Sequence, residues 1–294
     1  MNKIKNTFSI NELENLSGIK AHTIRIWEKR YGILQPTRLN RNIRIYQLKD
    51  LQKLLNVGLL YNENYKISKI AKFTEHELQE EVKNISADNF SSKSQINALL
   101  ISMYTFDVHL FEETYQQQIK TNSFSEIFIN TYIPLLNHIG VLWQTNSLQP
   151  VNEHFISNLI YQKIVLQIAL IENTKPSNDK IHILFLPQEE IHQIGMLFYY
   201  YHLKLNGKNV IYLGSGIPYD NLSTLTAQFE HINWTTANII DIPEPDKIQM
   251  ILNYEQLIKN TNNTISIVGQ IWNDNALTNT NNQIYFHKSY ETLL

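Results

Sequence analysis

The chain of 294 residues contains no cysteine. That excludes a disulfide framework, a thiolate-held iron–sulfur cluster and a thiol nucleophile, and it fits a reducing compartment. Glycine is scarce as well: nine residues leave little material for phosphate-cradling loops. No apolar run approaches the roughly 20 residues that cross a bilayer. The opening MNKIKNTFSI lacks the apolar stretch of a secretory signal. The expectation is a soluble cytoplasmic protein with no membrane partner. What the chain does have is 43% hydrophobic residues, enough for real cores, in a length that allows two or three domains at about 100–200 residues each.

Charge is unevenly spread. Residues 1–75 hold fourteen Lys and Arg against six Asp and Glu, a net +8, and the other 219 residues hold eleven against twenty-one, a net −10. A small basic head on an acidic body points to a head that binds a polyanion.

The head also has local structure to go with its charge. Ser9 precedes Glu12 in the S-x-x-E pattern of a capping box, so a short helix over Ser9–Leu16 is predicted, broken at Gly18. Lys20–Tyr31 reads as a second helix. Ile24, Trp27 and Tyr31 share one face and are expected in the core. His22, Arg25 and Lys29 share another face, open to solvent or phosphate. A short helix, a glycine turn and a second helix with a basic outer face follow helix-turn-helix logic, in which the second helix enters the major groove. Pro36 then breaks the chain. The basic loop with Arg38, Arg41 and Arg44 leads into alternating residues ending at Tyr46, a β-hairpin wing suited to gripping the DNA backbone.

These residues resemble the winged-helix DNA-binding domain of the MerR family of transcription regulators, from Phe8 to about Phe73. The similar motifs are Thr23-Ile24-Arg25-Ile26-Trp27-Glu28, then Gly32-Ile33-Leu34-Gln35-Pro36-Thr37-Arg38, then Arg44-Ile45-Tyr46. The resemblance implies that Arg25, Arg44 and Tyr46 hold phosphates, with His22 and Thr23 near bases. It also implies that Leu48–Tyr61 and Ile67–Phe73 are supporting helices. Trp27 reads as a core aromatic; Tyr46 stands between a core and a phosphate role. The polar stretch that follows reads as a linker over 76–91 and not as a dimerising coiled coil.

Residues 92–176 carry Leu, Ile, Phe and Tyr at helical spacing. Four helices fit, at about 92–104, 106–121, 123–144 and 151–174, with Pro150 in the gap before the last, where a proline belongs. The last is apolar nearly all round, as a bundle helix should be. KPSND, 175–179, reads as a further linker. From residue 180 the texture becomes strand–helix alternation: IHILFLP, then a helix stopped at Gly207, NVIYLG, a helical Asn221–Phe229, HINWTTANII, a helical Pro245–Lys259, TISIVGQIW and QIYFHKS. That pattern argues for a parallel sheet with crossover helices, an α/β doubly wound or Rossmann-like domain over 177–294. Ligands bind such sheets at the C-terminal strand ends, which directs attention to the loop 186–195.

The loop holds Glu190-Ile191-His192-Gln193-Ile194-Gly195. Taken alone this is an ordinary solvated Glu–His pair. It also resembles the D-x-H-x-x-G motif of cobalamin-binding domains, with Glu in place of Asp. The resemblance implies that His192 is the lower axial ligand of cobalt and that Glu190 sets its basicity from behind. Gly195 would let the nucleotide tail pass close to the backbone. Upstream, Trp143 is followed after nine residues by Glu153-His154. This W-x(9)-E-H spacing resembles the four-helix bundle of light-sensing cobalamin regulators of the CarH type, in which Trp covers the adenosyl group and the Glu–His pair lines the same cavity. With the MerR-like head, the resemblance covers nearly the whole chain.

Three positions depart from that pattern. No clear S-x-L follows the third strand, where the sequence reads NWTTANIIDIPEP. Gly269-Gln270 stands where a Gly-Gly is usual, and Gln144 follows the bundle Trp where some members have His.

The expected protein is multidomain, α plus α/β. It has a winged helix-turn-helix head (1–75), a linker (76–91), a four-helix bundle (92–176) and a Rossmann-like cobalamin-binding-type domain (177–294). It is expected to be a regulator and not an enzyme, in the repressor sense. It would pair with a double-stranded DNA operator and with itself as a dimer or tetramer, and would associate with the nucleoid when on DNA. Its ligand would be cobalamin, with adenosylcobalamin, and thus light, as the finer expectation. The alternatives are a regulator whose sensor has lost cobalamin and takes another ligand or protein, and a corrinoid methyl carrier. The basic head opposes the second.

Overall fold

The computed structural model describes residues 7–39, 43–88, 92–144, 148–172, 180–272 and 282–294. They form two compact units, Met1–Leu159 and Ile160–Leu294.

The first unit opens with β1 (Thr7–Phe8) and α1 (Ile10–Ser17). The capping box is present: Ser9 Oγ accepts from the Glu12 N–H and Glu12 accepts from the Ser9 N–H. Gly18 closes α1 at φ 71°, a left-handed position that a residue with a Cβ resists. This sharp stop lets α2 (Ala21–Tyr31) start three residues later. β2 (Thr37–Leu39) and β3 (Ile43–Gln47) form the expected antiparallel hairpin, and β1 joins it on the other side of β3. α3 (Leu48–Asn62) and a single turn, α4 (Ile67–Ile70), complete the head. Its core collects Phe8, Leu13, Ile24, Trp27, Tyr46 and Leu54. Tyr31, expected there, is only partly buried and lies under the Arg30 guanidinium.

The predicted linker is instead mostly a helix, α5 (Glu75–Asp88). Thr74 caps it, donating to and accepting from Glu77. Leu78 is buried, and Tyr65 donates to Glu81 across to α4's approach. The bundle follows as α6 (Ser92–Thr105), α7 (Val108–Gln118), α8 (Phe124–Ile127), a π-helical turn at Phe128–Tyr132, α9 (Ile133–Gln144) and α10 (Pro150–Leu170). The π turn has a cause in Pro134, which has no N–H to return to the preceding turn and needs room for its ring. Head and bundle pack on each other within this unit. α3 lies against α6, Phe8 meets Tyr104 edge to face at 6.0 Å, and His138 hydrogen-bonds the backbone of Leu16.

The second unit contains a five-stranded, all-parallel sheet in the order β5-β4-β6-β7-β8. The strands are β4 (Ile181–Leu184), β5 (Asn209–Tyr212), β6 (Ile232–Ala237), β7 (Thr264–Val268) and β8 (Ile284–His287). α11 (Gln193–Leu205) and α13 (Glu244–Ile258) are long crossovers. The helix expected over 221–229 is only a 3-10 turn followed by α12 (Ser223–Thr226). Chain order reverses at β4, so the loop after β4 sits at the switch point where doubly wound sheets bind ligands. The sheet buries Ile183, Phe185, Trp234, Ile265 and Ile267 on one side and Leu184, Met196 and Val268 on the other.

Candidate functional site

Two sites emerge, one in each unit. In the head, α2 presents His22, Arg25 and Lys29 to solvent, with Thr23 partly so. Its start is held by Glu14, which accepts from the Ala21 N–H at 2.9 Å and pairs with Lys20 at 3.0 Å. The wing is held by Glu28 on the inner side of α2. Arg38 and Arg44 face each other across β2 and β3, a like-charge pair that is unfavourable alone. Glu28 lies between them, 3.1 Å from Arg44 Nε and 3.7 Å from an Arg38 nitrogen, and also accepts from the Tyr46 hydroxyl at 3.1 Å. Tyr46 is fully buried. Burial, with the nearby Glu28 charge, pushes its phenol well above the usual range. The structure thus places Tyr46 as a strut between wing and helix, not as an outward phosphate contact. Arg41 lies outside the described residues, as does the 175–179 linker.

In the second unit the Glu–His pair is a built feature. Glu190 sits in the turn after β4 with its side chain 2% exposed, while His192, just before α11, is 48% exposed. Glu190 Oε1 is 2.7 Å from His192 Nδ1 and accepts from the His192 backbone N–H at 2.8 Å. Oε2 accepts from the Ile239 N–H at 2.6 Å, beyond the end of β6. Burial pushes the Glu190 carboxyl up. The bonds from the His192 ring, its N–H and the Ile239 N–H outweigh that and hold it below the usual carboxylate range. Because the folded-state value is lowered, this tie between loops is fully present above the ordinary carboxyl value of 4.5 and is lost as acid titrates the folded group. A carboxylate on Nδ1 fixes the proton there and leaves Nε2 as the nitrogen that carries the lone pair. Ile191, 69% exposed, and the exposed Ile239 and Ile240 lie on the loops that Glu190 ties together. An imidazole set among exposed apolar side chains suits the underside of a flat macrocycle. For cobalt ligation the donor set fits.

The remaining expected residues are more scattered. Gly195 lies in the first turn of α11. Gly269 follows β7, where a Cβ would come 2.1 Å from the Asn238 carbonyl oxygen, so only glycine fits. In the first unit, Trp143 ends α9 with 44% of its surface exposed. Glu153 and His154 begin α10, paired at 3.2 Å, with Ser157 donating to Glu153 at 2.6 Å. Among the described residues, no group of three or more His, Asp or Glu is placed to hold a metal ion. No described helix is long and apolar enough to cross a membrane. Glu28 and the Ile239 N–H were not foreseen from sequence.

A basic winged helix-turn-helix and a doubly wound sheet with a buried acid behind a switch-point histidine define a DNA-binding regulator with a cobalamin-type sensor. Comparison with known proteins agrees: residues 8–77 match the family described as MerR HTH family regulatory protein, and residues 95–166 match the B12 binding domain. In its head and its bundle the chain is similar to MerR-type regulators that carry a B12-binding domain, CarH and CarA among them. It is 24% identical to the HTH-type transcriptional repressor CarH of Myxococcus xanthus, over 74% of this chain and 73% of that one. Its identity to the repressor CarA of the same organism is 25%, over 72% and 69%. Its fold is similar to that of the Methanosarcina barkeri monomethylamine corrinoid protein, with a TM-score of 0.56 and 12% identity over 69% of this chain and 96% of that one.

Proposed function

We propose that the chain is a repressor whose grip on an operator is set by cobalamin, with His192 as the cobalt ligand from below. The observation that carries this reading is the buried Glu190 carboxylate locking His192 by its Nδ1. An exposed Glu–His pair of no function would not need a carboxylate that is also bonded to the β6 loop. When bound, cobalamin supplies a cobalt ion and, in its adenosyl form, a light-labile bond to carbon. The chain's own residues do the rest. Glu190 keeps the proton on Nδ1, and Ile191, Ile239 and Ile240 offer an apolar seat. By the resemblance, Trp143, Glu153 and His154 of the first unit are further cofactor-binding residues.

The finer reading is that adenosylcobalamin sets the number of copies assembled and light resets it. Several heads on repeated half-sites raise affinity through effective concentration. Boundaries near residues 75, 91 and 176 belong to this proposal too.

The test is a visible spectrum of the full chain mixed with adenosylcobalamin in the dark, desalted, then illuminated. Retained corrinoid bands that change in light support it; a colourless protein after desalting overturns it. His192→Ala is expected to cut retention by at least the roughly 10–100-fold typical of disturbing a metal ligand's surroundings, with operator binding of the ligand-free chain unchanged. An identical spectrum in the variant removes His192 as the ligand.

At the head, we assign His22, Thr23, Arg25 and Lys29 to the DNA face, with Arg41 and Arg44 on the wing. Arg25→Ala is expected to weaken binding to all DNA sequences alike and to lower the salt slope by about one unit. Arg25 is a cleaner probe than Arg44, which is already paired with Glu28. A slope equal to that of the wild type rules out the Arg25 phosphate contact.

A further inference from the structure

The backbone three residues beyond His192 is covered by an aromatic ring. A Cβ built on Gly195 would lie 2.3 Å from Cε2 and 2.5 Å from Cδ2 of Tyr290. The Tyr290 ring therefore rests directly on the glycine that ends the E-x-H-x-x-G motif. Tyr290 belongs to a short 3-10 turn, Tyr290–Thr292, after β8. The residue is only partly buried, but its hydroxyl is fully enclosed. The ring enters tip first from the surface, toward Leu184, Met196 and Val268. Burial, with the Glu190 charge and then Tyr212 nearby, pushes its phenol far up. Neither the Tyr290 hydroxyl nor that of Tyr212 has a hydrogen-bond partner among the described residues. Farther along, β6 and β7 close on each other: the Asn238 N–H donates to the Val268 carbonyl at 2.8 Å, and the Asn238 carbonyl crowds Gly269.

Consider what a corrinoid ligated by His192 requires. Its nucleotide tail hangs from the face of the macrocycle that the histidine meets. By the resemblance, the tail would then pass close to the backbone at Gly195, in the first turn of α11. Tyr290 stands in that path. On the proposed cobalamin reading, the lower ligand fits and the tail does not, as the segment stands.

We infer that Tyr290 is a gate on the corrinoid site: cobalamin seats only when the Tyr290 turn swings out, whereas a corrinoid without a nucleotide tail seats with the turn in place. The segment is built to leave. Its hydrogen bonds are short-range: Leu293 N–H to the Tyr290 carbonyl at 2.9 Å, Thr292 Oγ1 to the Ser289 carbonyl at 2.7 Å, and Thr292 with His287 at 3.2 Å. Swinging the turn out as a body keeps most of these. A hydroxyl buried without a partner regains hydrogen bonds in water, which offsets the loss of ring burial. The specificity thus lies in a tyrosine about a hundred residues from the histidine it guards.

The inference rests on the proposed cobalamin reading, and its test separates the two. Full-length protein, as wild type, Tyr290→Ala and Tyr290→Phe, is titrated with hydroxocobalamin and with aquohydroxocobinamide, which lacks the nucleotide. If the closed turn holds about nine-tenths of the population, Tyr290→Ala tightens cobalamin binding about tenfold. Cobinamide binding should move less than about twofold, because its seating draws on both states alike. Tyr290→Phe should keep most of the discrimination. Hydrogen exchange in residues 287–294 of the wild type should rise with cobalamin and not with cobinamide, which covers the case in which Tyr290→Ala folds poorly. Equal responses to the two corrinoids, or exchange in 287–294 that cobalamin leaves unchanged, overturn the gate while leaving the sensor reading intact. Failure of every variant to bind either corrinoid overturns both.

Discussion

Glu190→Ala should cost about 10–100-fold in corrinoid retention and also lower the melting temperature of the ligand-free protein. Both effects follow from the one carboxylate, which meets four donors: the His192 ring, the His192 N–H, the Ile239 N–H and, at 3.5 Å, the Ile240 N–H. Removing it frees the imidazole to turn and to exchange tautomers, so the lone pair no longer points one way. It also removes the acceptor of the part-buried Ile239 N–H, which water can partly replace, at about 0.5–1.5 kcal/mol for the lost hydrogen bond. Glu190→Gln separates the two contributions. An amide oxygen can serve either the His192 side or Ile239, but the amide nitrogen then meets a donor at the other. Retention should fall with a smaller loss of stability. Absorbance of the desalted complex measures the first effect and thermal unfolding the second. If both substitutions leave retention at the wild-type level, Glu190 does not govern His192.

The second large effect belongs to the head. Glu28→Ala should destabilise the first unit by about 1–3 kcal/mol, mostly for the buried Tyr46 hydroxyl left without its acceptor, the pairs with the partly exposed Arg38 and Arg44 adding less. At about 2–4 °C per kcal/mol for a unit of this size, that shift is readily measured by calorimetry. Three groups lose their partner together: Arg44, Arg38 and the buried Tyr46 hydroxyl. The two arginines then face each other across the wing with nothing between them. DNA binding should fall with stability, since the wing loses its fixed angle to α2. Arg25→Ala contrasts with this: it should weaken DNA binding with little change in melting. A Glu28→Ala protein that melts with the wild type and binds DNA normally would sink this account of the wing.

What could be read from the chain depended on sequence distance. The Ser9-x-x-Glu12 cap, the glycine stop of α1 and the basic face of α2 are local, and each stands where the residues put it. The parallel sheet, though not its strand order, follows from strand–helix alternation, because parallel strands need crossovers. Glu190 and His192 are two residues apart, so their pairing was also legible. The misses are long-range. Glu28 sits 16 and 18 residues from Arg44 and Tyr46, and nothing in the TIRIWE run shows that its acid faces inward. Tyr290 lies in a stretch with no motif, and only packing brings it to Gly195. The 76–91 linker is a different kind of miss. Thr74-x-x-Glu77 is the same capping signal as Ser9-x-x-Glu12 and announced α5, but the weak apolar periodicity after it concealed the helix.

The packing of the head on the bundle limits how this architecture can be recombined. Regulators with a DNA reader and a sensor invite description as interchangeable parts, joined by a tether and free to be swapped. Here the reader has no finished outer surface. Phe8 needs Tyr104, the Leu16 backbone is bonded by His138, and the back of α3 is covered by α6. A chain cut after residue 75 would expose those surfaces to water, and a chimera carrying a foreign reader would leave Tyr104 and His138 facing a mismatched wall. Changes on the two sides of that seam are therefore expected to be coupled: a substitution at Phe8 should change the cost of one at Tyr104, as contacting residues do in a double-mutant cycle.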